Sequence, residues 1–156
     1  MLAGGDRVVK PVQVKISRVG NSTVPMPRKM TEHSAGFDVS AALDHPLVVK
    51  PGRIHRVPCG FAMALPPGYE AQMRPRSGLS SKHGVTLINS PGTIDCDYRG
   101  EIQVPLINLS QEDFTVEPGM RIAQMVIVPV PPVQLVEVES LDETARGTGG
   151  FGHTGH

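Results

Sequence analysis

Four proline–glycine pairs divide this chain, at Pro51-Gly52, Pro67-Gly68, Pro91-Gly92 and Pro118-Gly119. Proline presets φ at the first central residue of a turn and glycine accepts positive φ at the second, so each pair predicts a type II turn. Between the turns the apolar residues alternate. Val12-Val14-Ile16, Phe61-Met63-Leu65 and Ile102-Val104-Leu106 keep the two-residue period of a half-buried strand, and Ile122-Met125-Ile127 keeps it with one irregularity. Val and Ile together number 27, against 10 Leu and 9 Ala, an excess of β-branched residues over strong helix formers. Short strands separated by tight turns predict an all-β fold, an antiparallel barrel or sandwich. One short helix is expected, near Gly78 to His83.

The length, 156 residues, suits one domain with its own core. Glycine (17) and proline (15) are abundant, but 39% of the residues are hydrophobic, so a folded chain is expected. Fifteen basic and 15 acidic residues cancel, which argues against a protein that coats nucleic acid or an anionic membrane. Residues 1–10 lack the basic start and apolar run of a signal peptide and are expected to be a loose lead-in. The most apolar stretch, Met125 to Val136, is interrupted by Pro129, Pro131 and Pro132 and is too short to span a bilayer. Cys59 and Cys96 stand far apart without metal-ligand spacing and read as reduced thiols of a cytoplasmic protein. Residues 11–139 are expected to form the β domain. From Ser140 the apolar content collapses, so residues 140–156 are expected to be a mobile arm.

Five segments carry chemistry. The tail Arg146 to His156 holds five glycines in eleven residues. Its run Gly147-x4-Gly152-His153-Thr154 is one substitution from a phosphate-binding loop, with His153 in the place of lysine, but no helix is expected to follow it. Glycines still let successive N–H groups turn toward phosphate oxygens, and Arg146 adds a planar cationic fork. Phe151 has no core to join there, which favours a stacking surface for a planar ligand over an incidental ring. Arg76, Ser77 and Gly78, at the opening of the expected helix, form a plausible anion cradle, although any helix start looks similar. Asp95 and Asp97 are two residues apart and on a strand would share one face. That suits water activation or cation handling, and equally a charged hairpin edge. Tyr98 is either a platform or a strand aromatic. Asp38 lies in an apolar strand, and Arg121 and Gln124 lie in another. Buried polar groups need partners, so these are either structural ion pairs or site residues.

In this order, from Ala35 to Gly155, the five segments resemble the five motifs of the trimeric dUTPase family. Cys96 stands where that family often has a small residue, and no departure touches an essential position. The resemblance implies a β-clip or jelly-roll-like barrel that assembles as a homotrimer with three shared active sites. It implies hydrolysis of dUTP to dUMP and pyrophosphate, supplying dUMP for thymidylate synthesis and keeping uracil out of DNA. A dCTP deaminase of the same fold and a non-catalytic regulatory binding trimer are the alternatives.

By the same resemblance, Asp95 activates the water that attacks the α-phosphorus and reaches the sugar 3′-OH. Arg76, Arg146 and a Mg²⁺ ion neutralise the triphosphate, and Asp38 holds a water of that ion rather than the metal itself. Ser77 donates to the leaving pyrophosphate, Gly78 offers its N–H, and Gln124 contacts the α-phosphate region. Asn89 and the backbone around Thr93, Ile94 and Gln103 line the uracil slot. Tyr98 packs under the deoxyribose, and Phe151 stacks on the base when the arm closes over a neighbouring subunit's site.

Overall fold

The structure, a computed structural model, describes residues 11–150. The lead-in expected at 1–10 therefore lies outside the described residues. Along the described chain, β1 spans Lys15–Arg18, β2 Phe37–Ser40, β3 Leu47–Val49 and β4 Ile54–Pro58. Next come β5 (Phe61–Ala64), β6 (Tyr69–Pro75), the helix α1 (Ser77–His83) and β7 (Val85–Leu87). Strands β8 (Gly92–Ile94), β9 (Gln103–Asn108), β10 (Phe114–Val116) and β11 (Arg121–Pro129) complete the set. The fold is mostly β with one short helix, as the alternation and composition require. That helix has a left-handed C-cap at Gly84, φ +65°, whose N–H bonds the carbonyls of Leu79 and Ser80.

The strands group as β2–β11–β6–β8, β4–β9–β7, β1–β5 and β10–β3, and among the described residues these pairings do not close into one ring. Every pairing is antiparallel. Val39, Val57, Phe61, Val104, Leu106 and Ile122 are among the side chains that fill the core.

Three of the four Pro-Gly pairs form their turns. Gly52, Gly68 and Gly119 have φ of +70°, +83° and +76°. The carbonyls of Lys50 and Glu117 accept from Arg53 and Met120, each at 3.0 Å, and close two of these turns. Pro91-Gly92 departs from expectation. Gly92 opens β8 opposite Met73 of β6, and a Cβ there would come within 3.0 Å of the Asn89 amide nitrogen. Close approach of the Asn89 side chain, not a left-handed turn, favours that glycine.

Two other expectations change. Val12 and Val14 precede β1 rather than lie in it, and line an apolar groove with Phe37 and Met125. Among the described residues the strand itself pairs only with β5 and exposes all four residues, so period-2 burial cannot define it. The irregularity read in Ile122-Met125-Ile127 is real: Ile122 and Ala123, adjacent in sequence, are both buried, and the register with β2 slips between Arg121 and Ala123. One extra residue in β11 is a β-bulge.

Asn108, wholly buried at the end of β9, anchors the far end of the fold. Its amide donates to the carbonyls of Val49 (2.8 Å) and Glu112 (2.7 Å), and its oxygen accepts from the N–H (2.9 Å) and hydroxyl (2.8 Å) of Ser110. Asn108→Ala removes all four bonds, and the Glu112 carbonyl still accepts from the Ser110 hydroxyl at 3.0 Å. A loss of roughly 2–4 kcal/mol is expected, visible in denaturant unfolding; a loss under about 0.5 kcal/mol would show that this network is dispensable.

Candidate active site

Asn89, Thr93, Ile94, Asp95, Tyr98 and Gln103 line one cleft of about 300 Å³ between β8 and β9. That volume sits at the small end of ligand pockets, the size of a nucleoside rather than a peptide. β8 supplies one wall through its pairing with β6, and Gln103 opens β9 on the other.

Asp95 follows the last residue of β8, and Cys96 and Asp97 turn the chain. The Tyr98 N–H bonds the Asp95 carbonyl at 3.1 Å, and the Arg99 guanidinium holds the carbonyls of Cys96 (2.7 Å) and Tyr98 (2.8 Å). The two acids therefore do not share a strand face, which corrects that expectation. Asp95 borders the 300 Å³ cleft and a neighbouring one of about 590 Å³, whereas Asp97 lines only the second. A tight turn rotates successive side chains in a way that alternation cannot describe.

Tyr98 is positioned from two sides. Its hydroxyl donates to the Glu101 carbonyl at 3.1 Å. A Cβ at Gly100 would lie 2.6 Å from the ring carbon that bears the hydroxyl, so the glycine leaves room for the ring.

A second constellation lies elsewhere on the same chain. Asp38, on β2, is mostly buried, and its Oδ2 is 2.9 Å from Arg121 Nη1 and 3.8 Å from Arg76 Nε. Arg76 is the N-cap residue of α1, with Ser77 and Gly78 in the first turn. Gln124 of β11 sits directly opposite Asp38 across the ladder. Among the described residues, none of Asp38, Arg76, Ser77, Gly78 and Gln124 lines the Asp95 cleft. Arg146 joins neither group: its Nε bonds the Gly149 carbonyl at 2.8 Å, and it stands in a turn that the Gly147 N–H closes onto Thr144. Phe151 and the Gly152-His153-Thr154 part of the loop-like run lie outside the described residues.

Sequence reasoning gave no role to Arg56, Glu101, Ile102 or Pro105, which also line the cleft. Arg56 enters from β4 because that strand pairs with β9, a contact no local pattern announces. The Glu101 carboxylate instead accepts the Gly60 N–H at 2.9 Å. Burial, and secondarily that carboxylate, pushes the Cys59 thiol up to about 12, so it stays protonated at neutral pH and is no nucleophile.

A sequence model of the dUTPase family matches residues 22–155. The deoxyuridine 5′-triphosphate nucleotidohydrolase of Rickettsia felis is 57% identical over 143 residues, covering 92% of this chain and 97% of its own. That of Rickettsia bellii is 55% identical over the same span and is covered to 95%. Among solved structures, a dUTPase mutant of phage 80alpha superposes with a TM-score of 0.81 at 25% identity, over 90% of this chain and 98% of that one. The Staphylococcus phage 80alpha dUTPase with dUpNHpp gives a TM-score of 0.79 at 25% identity, over 92% and 99% of the two chains. The motifs, the fold and these relatives agree, and the chain belongs to the dUTPase family.

Proposed function

We propose that the cleft between β8 and β9 takes the deoxyuridine of dUTP, and that Asp95 at its edge acts as general base toward the water that attacks the α-phosphorus. The chain is a dUTP diphosphatase, a hydrolase that releases dUMP and pyrophosphate. One observation carries the reading: Asn89, Thr93, Ile94, Asp95, Tyr98 and Gln103 all line a single cleft of about 300 Å³. Cytosine presents a donor where uracil presents an acceptor, so in a slot built for uracil it strands polar groups without partners. Asn89, Thr93, Ile94 and Gln103 frame that slot.

The phosphates need positive charge. Arg76 and Arg146 supply it, with Ser77 and Gly78 as donors to the pyrophosphate and Gln124 toward the α-phosphate. A Mg²⁺ ion fits as one carried by the substrate. Among the described residues no three His, Cys, Asp or Glu side chains come together, and the arginine cluster offers the single carboxylate of Asp38. Mg²⁺ is commonly bound by one or two carboxylates plus substrate phosphates. When bound, it would offset charge on the triphosphate, with Asp38 holding one of its waters.

A homotrimer accounts for the separation of the two constellations, because one chain's Asp95 cleft can meet another's Arg76 and Gln124 across an interface. Val133, Leu135, Val136 and Leu141 support it: all are exposed on a single chain, Leu135 by 93%, and a neighbouring subunit would cover them. The segment from 140 onward is the arm that brings Arg146 and Phe151 to a neighbour's site. No helix among the described residues is long and apolar enough to cross a membrane. The free thiols of Cys59 and Cys96 support the reading of a cytoplasmic enzyme.

Incubation with dUTP, dCTP, dTTP and UTP plus Mg²⁺ tests this, with pyrophosphate and ammonia as readouts. Pyrophosphate from dUTP alone is expected. Ammonia from dCTP, or no preference among the four, would overturn the reading. Tyr98→Ala refines it: removing the ring opens space beneath the sugar, so the ratio of kcat/KM for UTP over dUTP should rise even as total activity falls. An unchanged ratio would remove Tyr98 from sugar selection.

A further inference from the structure

Two arginines and one carboxylate meet where β2, β11 and the start of α1 come together. Arg121 Nη1 donates to Asp38 Oδ2 at 2.9 Å, while Arg76 Nε stays 3.8 Å from the same oxygen. Arg76 Nη1 donates instead to the backbone carbonyl of Arg121, at 3.1 Å. Arg121 thus holds the acid with its side chain and the other arginine with its main chain.

Its position depends on the bulge in β11. Gln124 pairs with Asp38, so the two share a face of the sheet. Arg121 lies three residues earlier and in a regular strand would point to the opposite face. The extra residue between Arg121 and Ala123 returns it to the Asp38 face.

The competition for Oδ2 has a consequence. An arginine free to do so closes a bidentate pair with a carboxylate. Arg121 holds that oxygen with its side chain and Arg76 Nη1 with its carbonyl, which leaves Arg76 Nε at the longer distance with part of the Arg76 side chain exposed. We propose that Arg121 is a positioning residue that keeps Arg76 from collapsing onto Asp38, and so holds Arg76 in place for the substrate's phosphates. This rests on the dUTP-hydrolysing reading above. Without Arg121, Asp38 captures Arg76, and both leave the geometry that the triphosphate needs.

Calorimetric titration separates this from a loss of fold. A non-hydrolysable dUTP analogue and dUMP are titrated with Mg²⁺ into wild type, Arg121→Ala, Arg121→Lys, Arg76→Ala and the double alanine variant. Arg121→Ala should weaken the triphosphate analogue about tenfold while dUMP stays within about twofold. Arg121→Lys, which can still pair with Asp38, should recover most of the loss. In the Arg76→Ala background, Arg121→Ala should add nothing. Should Arg121→Ala fail to fold, Arg121→Gln carries the same comparison. Unchanged analogue binding, equal losses for dUMP and analogue, or losses that multiply in the double variant would each overturn the proposal. A wild-type protein that does not hydrolyse dUTP would instead sink the reading beneath it.

Discussion

Asp95→Asn is expected to leave a folded protein that still binds dUTP and turns it over more slowly by roughly 10²–10⁴. The substitution keeps the shape of the side chain and removes its capacity to take a proton. Asp95 also shapes its turn through its main chain, since its carbonyl accepts the Tyr98 N–H at 3.1 Å, and that contact survives the change. Thermal melting and binding of a non-hydrolysable analogue should therefore match wild type, while pyrophosphate release collapses. Turnover at the wild-type rate would show that another group is the base.

Ending the chain after Ala145 should abolish almost all activity and barely move the melting temperature. The described part of the lost segment, Arg146 to Gly150, makes hydrogen bonds only to its own neighbours, as in the Arg146 contact to Gly149. That described part contributes nothing to the core yet carries Arg146, the arginine proposed to meet the phosphates, and Phe151 goes with it. Mixing then asks whose site the arm serves. Inactive Asp95→Asn chains and inactive truncated chains are unfolded together and refolded. Random equal mixing makes about three quarters of the trimers mixed, and cyclic symmetry gives each mixed trimer one complete site in three. About a quarter of wild-type activity should return. Activity near zero, with mixed trimers confirmed by mass, would mean that the arm closes over its own subunit.

The bulge in β11 was legible as a three-residue step in an otherwise two-residue pattern, because two adjacent buried side chains break alternation wherever they occur. The short helix, expected near Gly78 to His83, spans Ser77–His83. Other features were not, for reasons of range and chemistry. Pro91-Gly92 carries the same letters as the three true turns, but its glycine answers to Asn89 packing against it. Asp95 and Asp97 looked like one face because the end of a three-residue strand has no mark of its own. Arg56 reaches the cleft only through the β4–β9 ladder, and spacing within one segment cannot report a partner found in another. Arg121 stood in a recognised segment, but its link to Asp38 spans 83 residues.

The exposed apolar stretch beyond β11 also bears on how the enzyme is born. If the proposed homotrimer forms, a newly made chain carries Val133, Leu135, Val136 and Leu141 into solvent before it meets its partners. Such a stretch is a hazard in a crowded solution, because extended apolar segments zip onto one another as strands. Pro129, Pro131 and Pro132 lie at its root, and each removes a backbone donor that a foreign strand would need. In the proposed trimer these prolines would act as gatekeepers during the interval before assembly. Replacing Pro131 and Pro132 would then tax yield and solubility during synthesis before it touched catalysis, a cost paid by the nascent protein and invisible in the finished one.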